Sequence, residues 1–520
     1  MPFVRKEIRS LGATWNDTTL WYAKAVGNLK ERPFTDPTSW WFLAAIHGFH
    51  PVVWTEFGFM DDQTPMPKAD LLALWAQCQH QTWYFLPWHR GYLYAFEEIV
   101  RSAVVAEGGP ADWALPYWNY SKDGTAAARV LPEAFAAQTL PDGSDNPLFV
   151  PRRFGDGTLP ITVPSLSVSL QALGATTYTG GNDDIPPGFG GPVTPFHHGP
   201  ETETANGALE SLPHNNIHGD IGGAEPGTDP NQWFNLGLMS MPITAGLDPI
   251  FWLHHANIDR LWSIWKAMPG HADPTDGDWR DGPTDRTFAM PLSDGTFWQF
   301  NASAVTDTRG QPLDYSYDDE TPPTLAPRVA MRMAGLGGRA VAPAGATAVR
   351  EAQMAASGPE LIGASDGEVR VAGRTRTEVR LDEAGVRTLR TSLARAAAAG
   401  PGATQEPARL FLKVEGVRGT ADAAVYYVYV DIPPNARPAD FPDRLAGTLS
   451  LFGVSDASAA SGPHAGNGFN QVFEISGIVD ALHLSGDDLA RLDVQFVPSN
   501  PASEASTFTV RRVSVFKFGE

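Results

Sequence analysis

Six histidines in the first half of the chain have spacings that suit metal binding. His214 and His218 are four residues apart, so on a helix they face the same side and can chelate one ion. His255, from a separate predicted helix, would complete a set of three nitrogens. A second set of three consists of His47, His80 and His89. Two three-imidazole sites inside one helical bundle predict a di-metal centre.

The residues around these histidines favour copper over other metals. The chain has no set of thiolates and no Glu-x-x-His pairs, which argues against structural zinc and di-iron carboxylate sites. A zinc protease would carry a glutamate directly after the first histidine of the chelating pair, and position 215 is Asn215. Ligation by imidazole alone suits copper.

The predicted helix that carries His255 is the best defined element of the chain. Asp248 is a good N-cap, Pro249 is a good first residue, and the helix is expected to run towards Met268 before Pro-Gly ends it. His255 and Asp259 are four residues apart and share a face. We therefore expect the Asp259 carboxylate to support the His255 imidazole as a metal ligand.

Four more helices are predicted to position the other histidines. One is opened by Thr35-Asp36-Pro37 and ends at Gly48, a second spans about Ala69–Gln81, a third starts at Pro87 and reaches about Val105, and a fourth carries His214–Asp220. Residues 121–206 are rich in Pro, Gly, Thr and Asp, which predicts long loops with little regular structure.

Composition divides the 520 residues into two unequal parts. All 16 tryptophans lie between Trp15 and Trp298, and 11 of the 13 histidines precede residue 272. We expect a mainly α domain over residues 1–325, built as a di-copper four-helix bundle with long loops, and a linker over residues 326–365. Short alternating runs over residues 366–520 predict an all-β, sandwich-like or barrel domain, interrupted by one helix over Glu383–Ala399.

Charge and cysteine content exclude several classes of partner. The net charge of −21 argues against nucleic acid, and no apolar run approaches the roughly 18 residues that a membrane span needs. The N-terminal segment lacks the apolar stretch of a secretory signal, and the single cysteine, Cys78, fits a reducing compartment, so a cytoplasmic location is expected. The oligomeric state stays open, with a homo-oligomer as one alternative.

Two motifs give the chain its resemblance to a known family. The first is Cys78-Gln79-His80 with Phe85-Leu86-Pro87-Trp88-His89-Arg90, and the second is Asp248-Pro249-Ile250-Phe251 with His255 and Asp259. Over about residues 35–320 the chain resembles the type 3 copper proteins, namely tyrosinases, catechol oxidases and molluscan-type haemocyanins. The resemblance implies copper A on His47, His80 and His89, with His50 as the alternative to His47. It implies copper B on His214, His218 and His255, with His254 in support.

The same resemblance assigns roles to residues outside the ligand sets. It implies a thioether between Cys78 and His80, and Tyr315-Ser316-Tyr317 matches the Tyr-x-Tyr signature that ends the catalytic domain in plant and fungal relatives. The strand-rich tail resembles the C-terminal domain that covers the copper site there. Phe452 or Phe469 is the candidate residue to enter the substrate pocket, although both also fit an ordinary core.

The activity implied is oxidation of small phenols by O2, through ortho-hydroxylation of monophenols and oxidation of o-diphenols to o-quinones. Glu210 and Asn215 match the pair that orients a basic water, Phe251 would lean over the copper pair, and Gly219 would leave access to copper B open. Catechol oxidase or o-aminophenol oxidase activity without hydroxylation is the alternative, and an O2 carrier of haemocyanin type is favoured less. A zinc hydrolase is favoured least because no general base follows the chelating pair.

Overall fold

The computed structural model describes residues 3–195, 205–325, 358–398, 407–462 and 464–519, together with Arg332 and Leu336. Helices and long loops make up the first part, and a large sheet dominates the second. Each part has its own main hydrophobic core. Most of the predicted linker lies outside the described residues, but Pro359–Ser365 already form a strand of the sheet, so the sheet begins earlier than expected. Within the described segments, every helix is too short or too polar to cross a bilayer.

Five long helices form the scaffold of the first part: α1 (Asp17–Glu31), α2 (Trp40–His47), α3 (Phe85–Ala106), α4 (Asn216–Gly222) and α5 (Pro249–Ala267). The α5 prediction is confirmed, and the Asp248 carboxylate accepts from the Ile250 N–H as an N-cap. α2 begins later than expected, at Trp40, because Ser39 provides the capping oxygen to the Phe42 N–H. Its C-terminal residue is His47, so the bundle presents that imidazole at a helix end.

The predicted helix over Ala69–Gln81 is wrong for most of its length. A short helix ends at Leu72, and the chain continues as a loop with positive φ at Ala76 and Gln81. Tertiary hydrogen bonds replace the helical ones, since the Ala76 and Gln77 N–H groups donate to carbonyls near the end of α2. Two predicted site residues, Cys78 and His80, therefore lie on irregular chain ahead of α3.

The segment before α4 is also less regular than predicted. Glu210–Asn215 form a π-helical turn that passes into α4, so His214 and His218 lie on two successive kinds of helix. The loop prediction for residues 121–206 holds for the part that is described, which contains only short helical pieces. The other short α-helices of the structure are Pro51–Glu56, Ala69–Leu72, Ala126–Arg129, Glu133–Ala136, Pro242–Ala245, Gly277–Asp281, Val454–Ser458 and Pro501–Ala505.

Two small strand pairs close the helical part. β1 (Phe3–Arg5) runs parallel to β4 (Tyr315–Tyr317), so the start of the described chain lies beside the end of this domain. β2 (Phe288–Pro291) and β3 (Phe297–Phe300) form an antiparallel hairpin. The Tyr-x-Tyr segment is therefore a buried strand that anchors the N-terminal segment.

The second part is one antiparallel sheet of nine strands among the described residues. The strands are β5 (Pro359–Ser365), β6 (Val369–Ala372), β7 (Thr375–Leu381), β8 (Arg409–Gly419), β9 (Val425–Val430), β10 (Leu445–Ser450), β11 (Phe469–Glu474), β12 (Arg491–Pro498) and β13 (Thr507–Phe518). The order is β10-β9-β12-β7-β5-β13-β8-β11, and β6 pairs with β13. The end strands meet where the Phe473 ring lies against Gly447, so the sheet is nearly closed. The β-rich prediction is confirmed, in a form closer to the barrel alternative than to two packed sheets.

Two helices, α6 (Glu383–Ala398) and α7 (Ser476–Ser485), accompany the sheet. α6 is the helix predicted over Glu383–Ala399. The edge of the sheet at β10 rests on the helical domain, where Asn216 Nδ2 donates to Thr448 Oγ1 over 2.6 Å and Ser450 Oγ donates to the Asn215 carbonyl over 2.9 Å. The sheet is thus held directly against the segment that carries His214 and His218.

Candidate metal centre

The first group of potential ligands, cluster A, consists of His47, Cys78, His80 and His89. One ligand atom from each lies within 4.8 Å of the others. His47 comes from the end of α2, His89 from the first turns of α3, and the other two from the loop that precedes α3. His50, the alternative to His47, lies outside the group, so the structure favours His47.

The second group, cluster B, consists of His214, His218, His254 and His255, again with one ligand atom from each within 4.8 Å of the others. The two clusters face each other across the bundle. The His89 and His255 rings stack with centroids 4.4 Å apart, and the His80 and His214 centroids are 5.7 Å apart. The structure thus brings the six predicted ligands together in one buried region.

Hydrogen bonds prepare several imidazoles for metal binding. The Nδ1 atoms of His47, His89 and His218 lie 2.8 Å from the carbonyl oxygens of Pro242, Phe85 and Met239, respectively. A carbonyl only accepts, so Nδ1 carries the proton and the lone pair is on Nε2. The Nε2 atoms of His47 and His218 are buried with no hydrogen-bond partner. The Nε2 lone pairs of these histidines are therefore suited to coordinate metal ions.

His214 follows a similar pattern in cluster B, whereas the Nδ1 atom of His255 is buried without a hydrogen-bond partner. The Nδ1 atom of His214 lies 2.7 Å from Asn215 Oδ1, and its Nε2 lies 3.3 Å from the Nε2 of His255. Two facing nitrogens at this distance suit a shared cation. Burial lowers the histidine pKa values, to about 4 for His47, and the neighbouring imidazoles lower them further for His214 and His255. These rings are therefore neutral at physiological pH, as ligation requires.

Cys78 lies between two imidazoles of cluster A. Its Sγ is 3.6 Å from Nδ1 and 3.7 Å from Nε2 of His80, and 3.4 Å from Nε2 of His89. The sulfur is nearly equidistant from the two nitrogens that flank Cε1 of His80. Burial raises the pKa of the thiol. The Cys78–His80 thioether stays a prediction that this proximity favours.

The expected role of Asp259 is wrong. Its carboxylate turns away from His255 and pairs with Arg90 Nε at 2.5 Å and Arg5 Nη1 at 3.3 Å. The hydroxyls of Tyr315 and Tyr317 also donate to it. Burial raises the pKa of Asp259, but the two arginines and the hydroxyls outweigh burial and hold it below its usual value. The Tyr-x-Tyr signature thus contributes to a buried charge network that ties α3, α5 and β1 together.

The predicted pair of Glu210 and Asn215 lies beside both clusters. Both oxygens of Glu210 accept from the N–H of Gln81, the residue after His80, at 2.9 and 3.0 Å. Burial raises the pKa of Glu210 to about 8, opposed by backbone hydrogen bonds from Gln81 and Gly207. Asn215 instead holds the His214 ring, as described above. The pKa of Glu210 thus lies in the range that general acid–base catalysis uses.

Aromatic rings cover the two faces of the cluster region. The Phe251 ring lies 4.8 Å from that of His47 and 4.2 Å from that of His255, as predicted from its position one turn earlier on α5. On the other side, the Phe452 ring stacks on His218 at 4.0 Å with an interplanar angle of 16°. Phe469 is in β11 and belongs to the core of the sheet domain. Of the two candidate plug residues, only Phe452 reaches the site.

Gly219 does not have the surroundings that we expected. A Cβ at this position would lie 2.8 Å from the Val425 Cγ2 atom and 3.3 Å from the Ala423 carbonyl oxygen. The missing side chain therefore makes room for the sheet domain, at the start of β9, rather than for a path to cluster B.

His254 lies within cluster B, and sequence reasoning missed its partner. The hydroxyl of Tyr120 is 3.3 Å from His254 Nδ1, and His254 Nε2 is buried without a partner. Tyr120 follows a buried aromatic run, but nothing in its spacing connects it to α5.

Comparisons with known proteins agree with this geometry. The family model described as the common central domain of tyrosinase matches residues 37–184 and 176–268, and a domain of unknown function matches residues 358–518. Tyrosinase HcTyr1 of Hahella sp. (strain CCB-MM4) is 32% identical over 525 residues, which cover 96% of this chain and 97% of that protein. The chloroplastic polyphenol oxidase II of Ipomoea batatas is 28% identical over 341 residues, covering 62% of this chain and 51% of that protein.

Solved structures share the two-part architecture. The structure of latent apple tyrosinase covers all of this chain with a TM-score of 0.59 at 20% identity, and 97% of that chain is covered. Recombinant latent aurone synthase gives a TM-score of 0.57 at 17% identity, with 100% and 90% of the two chains covered. At this identity the likeness concerns the fold.

Fold and site together define a phenol-oxidising oxidoreductase with a binuclear copper cofactor, a helical catalytic domain and a β-rich C-terminal domain. The chain belongs to the tyrosinase family of type 3 copper proteins.

Proposed function

We propose that this protein is a tyrosinase that ortho-hydroxylates monophenols and oxidises o-diphenols to o-quinones. The ligands of copper A are His47, His80 and His89, and those of copper B are His214, His218 and His255. When bound, the two copper ions supply the redox chemistry that couples phenol oxidation to the reduction of O2. The alternative is a catechol oxidase or o-aminophenol oxidase that lacks the hydroxylation step.

The position and proton affinity of Glu210 carry the proposal. Its buried carboxyl joins the loop of cluster A, through the Gln81 N–H, to the segment of cluster B that begins four residues before His214. A monophenol must lose its proton as it binds, and a buried carboxylate with a pKa of about 8 is a stronger base than an exposed one. Glu210 accepts this proton, directly or through one water.

The ring of Phe452 supports a small phenol as the substrate and a latent state for the two-domain chain. It lies against His218, with the His80 and His214 rings at 5.6 and 5.8 Å. One planar ring fits this space, and Phe452 takes it. The substrate therefore replaces the Phe452 side chain, and the sheet domain must move or be removed for full activity.

The test compares tyrosine, catechol and o-aminophenol as substrates of the copper-loaded protein, before and after limited proteolysis between the two domains. We expect quinone formation from tyrosine with a lag, and Glu210→Gln should lower the rate with tyrosine at least tenfold more than the rate with catechol. Glu210→Asp serves as the conservative control and should keep part of the tyrosine activity.

Each contrary result has a defined meaning. Oxidation of catechol without hydroxylation of tyrosine would make the protein a catechol oxidase, and selective turnover of o-aminophenol would make it an o-aminophenol oxidase. Reversible O2 binding without turnover would assign it to the carriers. Equal loss of both rates in Glu210→Gln would remove the proton-accepting role.

A further inference from the structure

The turn that carries His214 is irregular. Within the π-helical turn Glu210–Asn215, Leu212 is extended, with φ −152° and ψ 119°, and Pro213 has no N–H to donate. These two residues interrupt the hydrogen-bond ladder of the helix. The position of the turn therefore depends on contacts with other segments.

The His214 ring is oriented by this same turn. The Nδ1 atoms of His47, His89 and His218 lie against backbone carbonyl oxygens of the helical domain. The Nδ1 atom of His214 lies instead 2.7 Å from Oδ1 of the next residue, Asn215. The orientation of the His214 ring therefore depends on how Asn215 is held.

Strand β10 of the sheet domain holds Asn215. Side chains two residues apart on a strand share a face, so Thr448 and Ser450 point to the same side. Ser450 Oγ donates to the Asn215 carbonyl over 2.9 Å, and Thr448 Oγ1 accepts from Asn216 Nδ2 over 2.6 Å. All four residues are buried. The residue that orients His214 is thus fixed from the other domain.

The Ser450 hydroxyl also contacts the candidate plug. Its Oγ accepts from the N–H of Phe452 over 3.4 Å, and the Phe452 ring stacks on that of His218. One oxygen atom thus connects the backbone of the plug to the backbone of Asn215. A shift of either segment must stretch one of these two hydrogen bonds.

We propose that Ser450 is a positioning residue for copper B, which holds the turn that orients His214 and couples copper binding at that site to closure of the sheet domain. The proposal rests on the ligand assignment given under the proposed function. A ligand that is already held in its binding orientation loses less conformational freedom when the ion binds, so the Ser450 contact raises copper affinity. Because such coupling is reciprocal, bound copper holds the Phe452 segment more firmly.

Equilibrium copper affinity tests the positioning role without a substrate. The full chain is titrated with copper(I) at free concentrations set by a competing chelator, so the result does not depend on how fast the ion enters. Ser450→Ala should weaken one of the two sites about fivefold, the effect of one hydrogen bond, and leave the other unchanged. His255→Ala, which keeps copper A, and His47→Ala, which keeps copper B, identify the site. Ser450→Ala should lower the affinity only when it is added to His47→Ala.

Ser365→Ala is the matched control. Ser365 is also a buried serine of the sheet domain, and its Oγ donates to the Gly367 carbonyl over 3.2 Å and accepts from the Val513 N–H over 3.1 Å. The variant removes the same two kinds of hydrogen bond, but both partners belong to the sheet domain. It should leave both copper affinities unchanged.

Amide hydrogen exchange of the full chain tests the coupling. Copper should slow exchange of the peptide that contains Phe452 about fivefold in the native protein, because linkage makes the two effects equal. In Ser450→Ala, the exchange rates with and without copper should agree to within about twofold.

Three results would overturn the proposal. Unchanged copper affinities in Ser450→Ala would make Ser450 part of the docking surface alone. Equal weakening of both sites, or the same weakening in Ser365→Ala, would show a general loosening of the chain. A copper effect on Phe452 exchange that persists in Ser450→Ala would remove the coupling. These measurements use no phenol, so failure to hydroxylate tyrosine would contradict the proposed function while leaving them intact.

Discussion

If the protein is latent as proposed, replacement of Phe452 by alanine is expected to give an active oxidase without proteolysis of the two-domain chain. The ring is 4% exposed and stacks on His218, so a phenol can bind only where this side chain already lies. Alanine at position 452 leaves a space of one phenyl ring that the substrate itself can fill. The sheet domain stays attached through its polar contacts to α4 and to the turn before it.

The size of the effect follows from what the substrate must displace. Burial of a phenylalanine side chain stabilises by about 2–3 kcal/mol, and a stacked aromatic pair adds about 0.5–1.5 kcal/mol. Removal of the ring should therefore make substrate binding to the uncleaved protein more favourable by about 3 kcal/mol. At about 1.4 kcal/mol per factor of ten, kcat/KM of the uncleaved protein should rise roughly 100-fold.

The assay is the initial rate of O2 uptake with catechol, on preparations that contain two copper ions per chain. Phe469→Ala is the matched control, since Phe469 is equally buried but lies in the core of the sheet domain. It should destabilise that domain by about 3–5 kcal/mol, measured by urea unfolding, without the gain in rate. An unchanged rate in Phe452→Ala, or an equal gain in Phe469→Ala, would refute a plug role for Phe452.

Three further predictions concern Glu210, Cys78 and Asp259. Because burial raises the pKa of Glu210 from 4.5 to about 8, the folded state binds its proton more tightly than the unfolded state, and stability falls as pH rises between these values. In metal-free Glu210→Gln this loss should be absent, so the free energy of unfolding of the variant should rise relative to that of the native protein by up to about 1.4 kcal/mol per pH unit in denaturant titrations from pH 4.5 to 8. The same pH dependence of the free energy of unfolding in both proteins would contradict a raised pKa of Glu210. The copper-matured protein should be about 2 Da lighter than its sequence mass, with Cys78 resistant to alkylation after denaturation, if the two hydrogens of a thioether are lost; a freely alkylated thiol excludes the bond. Asp259→Asn should destabilise the catalytic domain by about 3–5 kcal/mol because Arg5 and Arg90 lose a buried partner, and a fall in melting temperature of less than 1 °C would show that the network does not stabilise the fold.

The histidines could be predicted from sequence because local rules determine where they lie. A π-helical turn that passes into α4 keeps His214 and His218 close together, and the Asp248-Pro249 start sets the phase of α5, so His255 faces the same region. His47 is predicted at a helix end because Gly48 follows it. Composition separates the two parts, since all tryptophans lie between Trp15 and Trp298 and 11 of the 13 histidines precede residue 272.

Contacts between segments that are distant in sequence determine the features that could not be predicted. The segment over Ala69–Gln81 has helical composition, but the N–H groups of Ala76 and Gln77 donate instead to carbonyls near the end of α2. Asp259 is spaced to support His255, yet two arginines from distant segments attract it more strongly. Arg5 is 254 residues away from Asp259, and no local pattern reports a buried ion pair at that separation.

Gly219 shows why a site residue cannot be interpreted apart from the domain above it. In a bare catalytic domain, a glycine after His218 would ease access to copper B, which was our expectation. In the two-domain chain the same absence of a side chain lets Val425 approach, and even an alanine Cβ would lie 2.8 Å from its Cγ2 atom. A larger residue would push β9 away, and with it the neighbouring β10, which ends two residues before Phe452. Under the proposed function, the missing side chain that was expected to ease access to copper B is therefore the one that lets the sheet domain bring Phe452 to the site.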